Sequence, residues 1–367
     1  MSQLLDRLDC ALKLAVDDVK YAEIQAKKAC YLARVGMFSE SREIIQHLRR
    51  KFSDWRSGQI TAWIMLAEGL LYLYEKLSPL AIDRVTRSQL LGLATNDRTI
   101  VALSSAWKAH IEFETSNFGM MIKSLQTALA NARDDDHDAH ARISMVICDS
   151  FLICGDEEAA QKWFLRSRDH ALKDGDDSSI EALLYNRAAF SLAWLRAANC
   201  LRAVDEEKLS LVRLGIASDS NLQALIRIGA FTNFVHLCDA RMLILEKKFE
   251  PAIVALETVR NSGPFAGYNF SQSFIDLEIS FCLLRLHRIA EAREIFESIH
   301  WSSFDALDVD EQLVAAWMRH MMCLESDAFG DADDARLALE KLGAQYEDMR
   351  VNLLNSLAPF RGVIGAS

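Results

Sequence analysis

The residues best suited to chemistry stand in the run DDDHDAH, Asp134 to His140, where two histidines three apart sit among carboxylates. Those are the donor types of a metal site. The run falls at a predicted helix boundary, however, where acids complement the helix dipole and solvate the connection. With no defined ligand set around it, we read it as a boundary. DGDDSSIEALLY, Asp174 to Tyr185, opens like a calcium loop but has no Gly at its sixth place. It also carries Tyr185 where the bidentate Glu belongs. RHMMC, Arg319 to Cys323, puts soft ligands into one helical turn, which Met and Cys also do as core filler. The basic run at 49–51, with Trp55 and Arg56, suits an acidic partner or simply a helix C-terminus. No phosphate loop, dinucleotide fingerprint, His-Glu-x-x-His or Gly-x-Ser-x-Gly elbow is present. The expectation is a protein with no cofactor, no metal and no catalytic set, and not an enzyme.

The elements that would position any site repeat. LEKKFEPAIVALETV (Leu245 to Val259) and LHRIAEAREIFESI (Leu286 to Ile299) align residue by residue: Phe249 on Ile289, Ala252 on Ala292, Leu256 on Phe296, Val259 on Ile299. The shared rule is a turn residue, an apolar residue two on, then a small residue followed by larger apolar ones. Gly36, Phe38, Ser41, Ile45 and Leu48 obey it, as do Ser116, Phe118, Met121, Leu125 and Ala128. Gly155, Ala160 and Phe164 follow it, and so do Gly330, Ala332, Ala335 and Leu339; a weaker copy starts at Lys76 with Ala81 and Val85. The small position falls at 41, 81, 121, 160, 252, 292 and 335, so all steps but one are close to 40 and the exception leaves room for one longer unit. Recurrence at this period signals stacked supersecondary units. Apolar residues at three- and four-residue spacing on both sides of each turn make every unit a helix pair. Breaks at 95–97, 134–138, 174–177 and 217–220 supply Asp, Asn and Ser to cap the helices that follow. Pro79 and Pro251 fall in first turns of second helices, Pro264 in a loop and Pro359 past the last helix.

Composition agrees. Of 367 residues 51% are hydrophobic, which is ample for a core, and only 4 are Pro, so helices meet few breakers. A formal charge of −11 argues against nucleic acid or an anionic membrane as a general partner. The eight cysteines form no Cys-x-x-Cys pair, and with no signal segment or long apolar run the expected location is a reducing cytoplasm.

The pattern resembles the tetratricopeptide repeat, in the longer form found in signalling and regulatory members. The small first-helix positions of that family would be Ala29, Gly69, Ala109, Cys148, Ala240, Ser280 and Cys323. The resemblance implies an all-α superhelix of about eight helix pairs spanning 1–367, with a cap at 1–17, repeats over 18–343 and a cap and tail at 344–367. It also implies a concave groove lined by first helices. By its register the groove holds Trp63, Leu70, Tyr74, His110, Phe113, Arg142, Asp149, Phe234, Arg241, Phe281 and Arg285. In the irregular fifth unit Asn186, Phe190 and Trp194 share one helical side, and with Arg241 they are expected at the groove centre. A mainly apolar groove suits an amphipathic helix or extended peptide. The expected function is a non-enzymatic scaffold, adaptor or chaperone-like binder of another protein. The alternative is a sensory regulator whose superhelix responds to a peptide or small ligand.

Overall fold

The computed structural model describes residues 2–53, 57–202, 206–226, 232–261 and 272–362. Trp55, Arg56 and Pro264 lie outside the described residues, as does the Phe234 side chain. Among the described residues every regular element is helical. A leading helix α1 (Gln3–Lys13) precedes α2 (Asp18–Arg34) and α3 (Phe38–Lys51). The pairs α4 (Gly58–Lys76) with α5 (Leu80–Ala94), and α6 (Arg98–Glu114) with α7 (Phe118–Asn131), follow. Next come α8 (His137–Ile153) and α9 (Glu157–Asp174), then α10 (Asp177–Leu201) and α11 (Glu206–Ile226). After these stand α12 (Thr232–Leu245) with α13 (Phe249–Asn261), and α14 (Gln272–Arg285) with α15 (Ile289–Glu297). The last pair, α16 (Val309–Glu325) and α17 (Ala332–Ser356), leads to a short α18 (Ala358–Arg361). Helices pack chiefly on their neighbours in sequence, as a helical-repeat protein requires.

One local event ends the first helix of pair after pair. Gly36, Leu77, Ser116, Gly155, Lys247, His287 and Gly330 all take positive φ. At Gly36, Ser116, Gly155, Lys247 and His287 the next residue donates its N–H to a carbonyl five back, over 2.8–3.0 Å. This closure satisfies an orphan carbonyl and reverses the chain. Glycine fills only some of these places, and that is why the sequence signal is spacing more than residue type. The weak copy is displaced: its left-handed residue is Leu77, not Lys76, and Ser78 reaches back six to Tyr72.

Packing follows from the small positions. Ala81, Ala160, Ala252, Ala292 and Ala335 are buried, and so are Ala29, Gly69, Ala109, Cys148, Ala240, Ser280 and Cys323. Ser41 Oγ donates to the Ala29 carbonyl at 2.9 Å and Ser280 Oγ to that of Ala292 at 2.6 Å, each tying the two helices of one pair. A Cβ added to Gly69 would meet Val85 Cγ2 at 2.7 Å. Asp17, Asp97 and Asp176 cap α2, α6 and α10 by accepting backbone N–H bonds from Lys20, Ile100 and Ser179.

Three expectations change. The break placed at 217–220 is interior to α11, which with the 25-residue α10 makes the long unit. Residues 344–356 continue α17 and form no helix of their own. Pro359 lies in the first turn of α18, where its missing N–H costs nothing.

The chain forms two compact units. Unit 1 comprises residues 1–150, 157–183 and 356–367; unit 2 comprises 151–156 and 184–355. The core of unit 1 runs through Ile45, Trp63, Leu66, Leu70, Val85 and Ile100. That of unit 2 runs through Leu256, Phe274, Phe281, Met318 and Phe329.

Candidate functional site

Unit 1 winds so tightly that α2 meets the start of α10 directly. Arg34 Nη1 lies 2.8 Å from Asp176 Oδ2 and donates to Ser179 Oγ at 2.8 Å, and Tyr31 donates to Asp177 at 2.7 Å. Lys27 Nζ reaches Asp138 Oδ2 of α8 at 2.8 Å. α1 lies across this closure. Its Leu4 and Leu8 are buried with Ile24 and Tyr31, Arg7 pairs with Asp174, and Lys28 Nζ reaches back to Asp9 at 2.5 Å. The space where the resemblance put an open groove therefore holds side chains of unit 1 itself.

Beneath α1 remains a cavity of about 50 Å³, lined by Leu4, Arg7, Leu8, Lys27, Cys30, Arg34, Leu103, Trp107, Asp138, Arg142, Asp174, Asp176 and Ser179. Its charges pair off unequally. Arg7 takes Asp174, Lys27 takes Asp138 and Arg34 takes Asp176, while among the described residues Arg142 has no carboxylate within ion-pair distance. Arg142 is only 3% exposed. Its guanidinium lies 3.8 Å from the Trp107 ring centroid, and Nη1 donates to Met145 Sδ at 3.1 Å. The ring quadrupole attracts the cation but supplies far less than water or a carboxylate would.

The neighbours respond to this charge. Burial and the adjacent Arg142 hold the His110 imidazole well below its ordinary range, so it is neutral. Burial pushes the Tyr74 phenol up, against the pull of Arg142 and Arg34. Burial also lowers the Arg142 guanidinium itself. Burial opposes the charge on Lys27, but Asp138 and Glu23 outweigh it and hold the ammonium above its usual range. Cys30 is pushed up to about 12 by burial, so it is a thiol here and no nucleophile.

Of the residues expected on a groove, Tyr74, His110 and Arg142 come together, all around Trp107. The Tyr74 and His110 rings meet it edge-on at 6.1 and 5.5 Å. Trp63, Leu70, Phe113, Asp149 and Phe281 are buried and belong to the interior, because core and groove share one helical period. Arg285 is exposed, pairs with Glu325 and covers the Phe249 ring. Asn186 and Phe190 are half-buried on α10. Trp194 fills the space above Gly155, where an added Cβ would meet the indole at 2.3 Å, so it is a core plug and no groove wall. Arg241 is committed elsewhere: its Nε lies 3.0 Å from Glu278 Oε1 and its Nη1 3.3 Å from Glu311. Arg196 pairs with the same Glu278 oxygen.

The run at 134–140 is likewise occupied. Asp138 serves Lys27, and Asp136 accepts from Thr99 and from the Arg133 N–H. His137 and His140 contact His170, which sequence reading missed; the two Nδ1 atoms of His137 and His170 lie 3.1 Å apart and the His140 ring stacks at 4.7 Å. Among the described residues no three His, Cys, Asp or Glu side chains are placed to hold a metal ion. No helix among them is long and apolar enough to cross a membrane.

Sequence reading also missed Lys27, Arg34 and Trp107. Carried back into the first unit, the groove register would have marked Arg34, two residues before Gly36, and Cys30, six before it. No protein-family model matches the chain, and a search of the curated proteins finds none similar to it in sequence.

Proposed function

We propose that this is a non-enzymatic interaction protein of the tetratricopeptide-like kind, and that unit 1 binds an amphipathic helix of a protein partner in the seat now held by α1. The observation that carries this is α1 itself. An 11-residue helix puts two leucines into an apolar seat and holds its polar edge with Arg7 on Asp174 and Ser2 on Asp177. Leu14 and Val16, which follow it, are 78% and 88% exposed, so few further contacts fasten it. A short helix held by two buried leucines and partly exposed ion pairs is replaceable by a better one, since such pairs contribute about 0–1 kcal/mol each.

A labelled peptide of residues 2–17 tests this against the full chain carrying Leu4→Asp and Leu8→Asp, which should vacate the seat. The peptide is expected to bind that variant and to ignore the wild-type chain, and a peptide bearing the same two substitutions should not bind. Absence of binding in trans would rule the seat out. The second reading, a regulator that responds to a small ligand, is favoured by the cavity around Arg142.

A further inference from the structure

The charges around the cavity in unit 1 form three ion pairs and leave one buried cation over. We propose that this cavity is a binding site for a short monocarboxylate of formate or acetate size, received by Arg142.

Size comes first. A water needs roughly 10–15 Å³ of such volume, so about 50 Å³ admits three or four heavy atoms and excludes a nucleotide or a peptide. Charge comes next. Asp138, Asp174 and Asp176 are each matched by a cation, so the ligand that completes the site carries one negative charge. Shape decides among monoanions. The Arg142 guanidinium carbon lies 3.8 Å from the Trp107 ring centroid, Nη1 donates to Met145 Sδ, and the side chain lines the cavity where a ligand would meet it. A carboxylate meets a guanidinium fork with two parallel N–H···O bonds, which a halide cannot do. Leu4, Leu8, Leu103 and the un-ionised Cys30 offer an apolar flank for a methyl group. Ser179 adds a hydroxyl, although it is already engaged with Asp176 and Arg34. His110, neutral beside Trp107, brings no competing charge.

Tyr74, Asp176 and Asp149 attract the Arg142 charge, but among the described residues no carboxylate forms an ion pair with it and burial outweighs the attraction. A buried cation without a partner destabilises a fold, and replacing it with an apolar side chain of similar length should relieve that strain. An Arg at this place, beside open volume, points to a ligand that restores the balance. Leu4, Arg7 and Leu8 of α1 line the cavity, so the site is complete while α1 is seated, the state of the wild-type chain.

Thermal unfolding of the full chain at constant ionic strength tests it, with sodium formate, sodium acetate and sodium chloride titrated separately. Wild-type protein should show a saturable rise in Tm with either carboxylate and none with chloride. Arg142→Met should fold, with an unchanged or higher Tm in carboxylate-free buffer, and lose the saturable response. Arg142→Lys, which keeps the charge but not the fork, should shift half-saturation at least tenfold, and it decides the matter if Arg142→Met does not fold. An equal response to chloride, a response surviving in Arg142→Met or undiminished in Arg142→Lys, or no saturable response at all would overturn the site. None of these outcomes bears on the peptide experiment above.

Discussion

Each unit buries arginines against an aromatic ring, and the two resolve the cost in opposite ways. In unit 2 the Arg196 and Arg241 guanidiniums lie 5.4 and 5.0 Å from the Phe274 centroid, and Glu278, fully buried, accepts from both. In unit 1 Arg142 lies closer to Trp107, yet among the described residues no carboxylate forms an ion pair with it. The first arrangement closes its charge internally and acts as a clamp among α10, α12 and α14. The second leaves charge and volume open in the same place. A buried ion pair is a costly structural element, whereas a buried unpaired ion beside a cavity is a reason to look for what completes it.

The largest effect expected from this comparison is in unit 2. Glu278→Gln would strand the buried Arg196 and leave Arg241 to Glu311 alone, and breaking a buried pair of this kind costs about 3–5 kcal/mol. Urea unfolding should show that loss, while Arg142→Met stays within about 1 kcal/mol of wild type because no partner is orphaned. A Glu278→Gln cost as small as that of Arg142→Met would erase the difference between the units.

Packing should not distinguish them. Ala292→Leu in unit 2 and Gly69→Ala in unit 1 both overfill a close helix crossing, at about 1–3 kcal/mol each. Glu291→Leu, on the exposed side of α15, should change stability by under ~0.5 kcal/mol. Indifference at Gly69 would mean that α4 and α5 can separate there despite the 2.7 Å approach to Val85.

Acidification should move the units in opposite senses. Burial, helped by His140 and His137, lowers His170 of unit 1 to about 4. Between an unfolded value near 6.5 and that folded value the unfolded chain binds the proton first, so stability falls as pH falls. Asp310 of unit 2 is raised to about 7, by burial first and then by Glu311 and Asp308. Its folded form keeps the proton that the unfolded chain releases near pH 4, so stability falls as pH rises from there to about 7. Hydrogen exchange between pH 7 and 5 should then accelerate in α9 relative to α16, after correction for the intrinsic rate. His170→Phe should weaken the first trend, which the neighbouring His140, also lowered by burial, shares, and Asp310→Asn should abolish the second.

The fewest changes belong to the surface. Arg293 and Glu297, both exposed on α15, pair at 2.7 Å, and Glu297→Gln should cost only about 0.3–0.5 kcal/mol. A larger loss in urea unfolding would show that such pairs cannot be set aside when the units are compared.

What the sequence by itself determined is local in range. Helix pairs, their spacing, the left-handed turns and the small crossings all depend on residues within one unit of about 40, and they recur often enough to be read without coordinates. The shifted turn at Leu77 and the uninterrupted α11 escaped because a left-handed residue need not be Gly and because Ser and Asp, the capping types, also sit inside helices. Whether Trp63, Leu70 or Phe281 faced a partner or a neighbour was beyond reading, since a helical period gives a direction and not what stands there. Only the tertiary structure decided that α2 meets α8 and α10, more than 100 residues away, and that α1 lies across them. Charge neutrality is a property of that encounter. Arg241 finds Glu278 and Glu311 while Arg142 pairs with no carboxylate among the described residues, and no local rule distinguishes two arginines written in the same kind of helix.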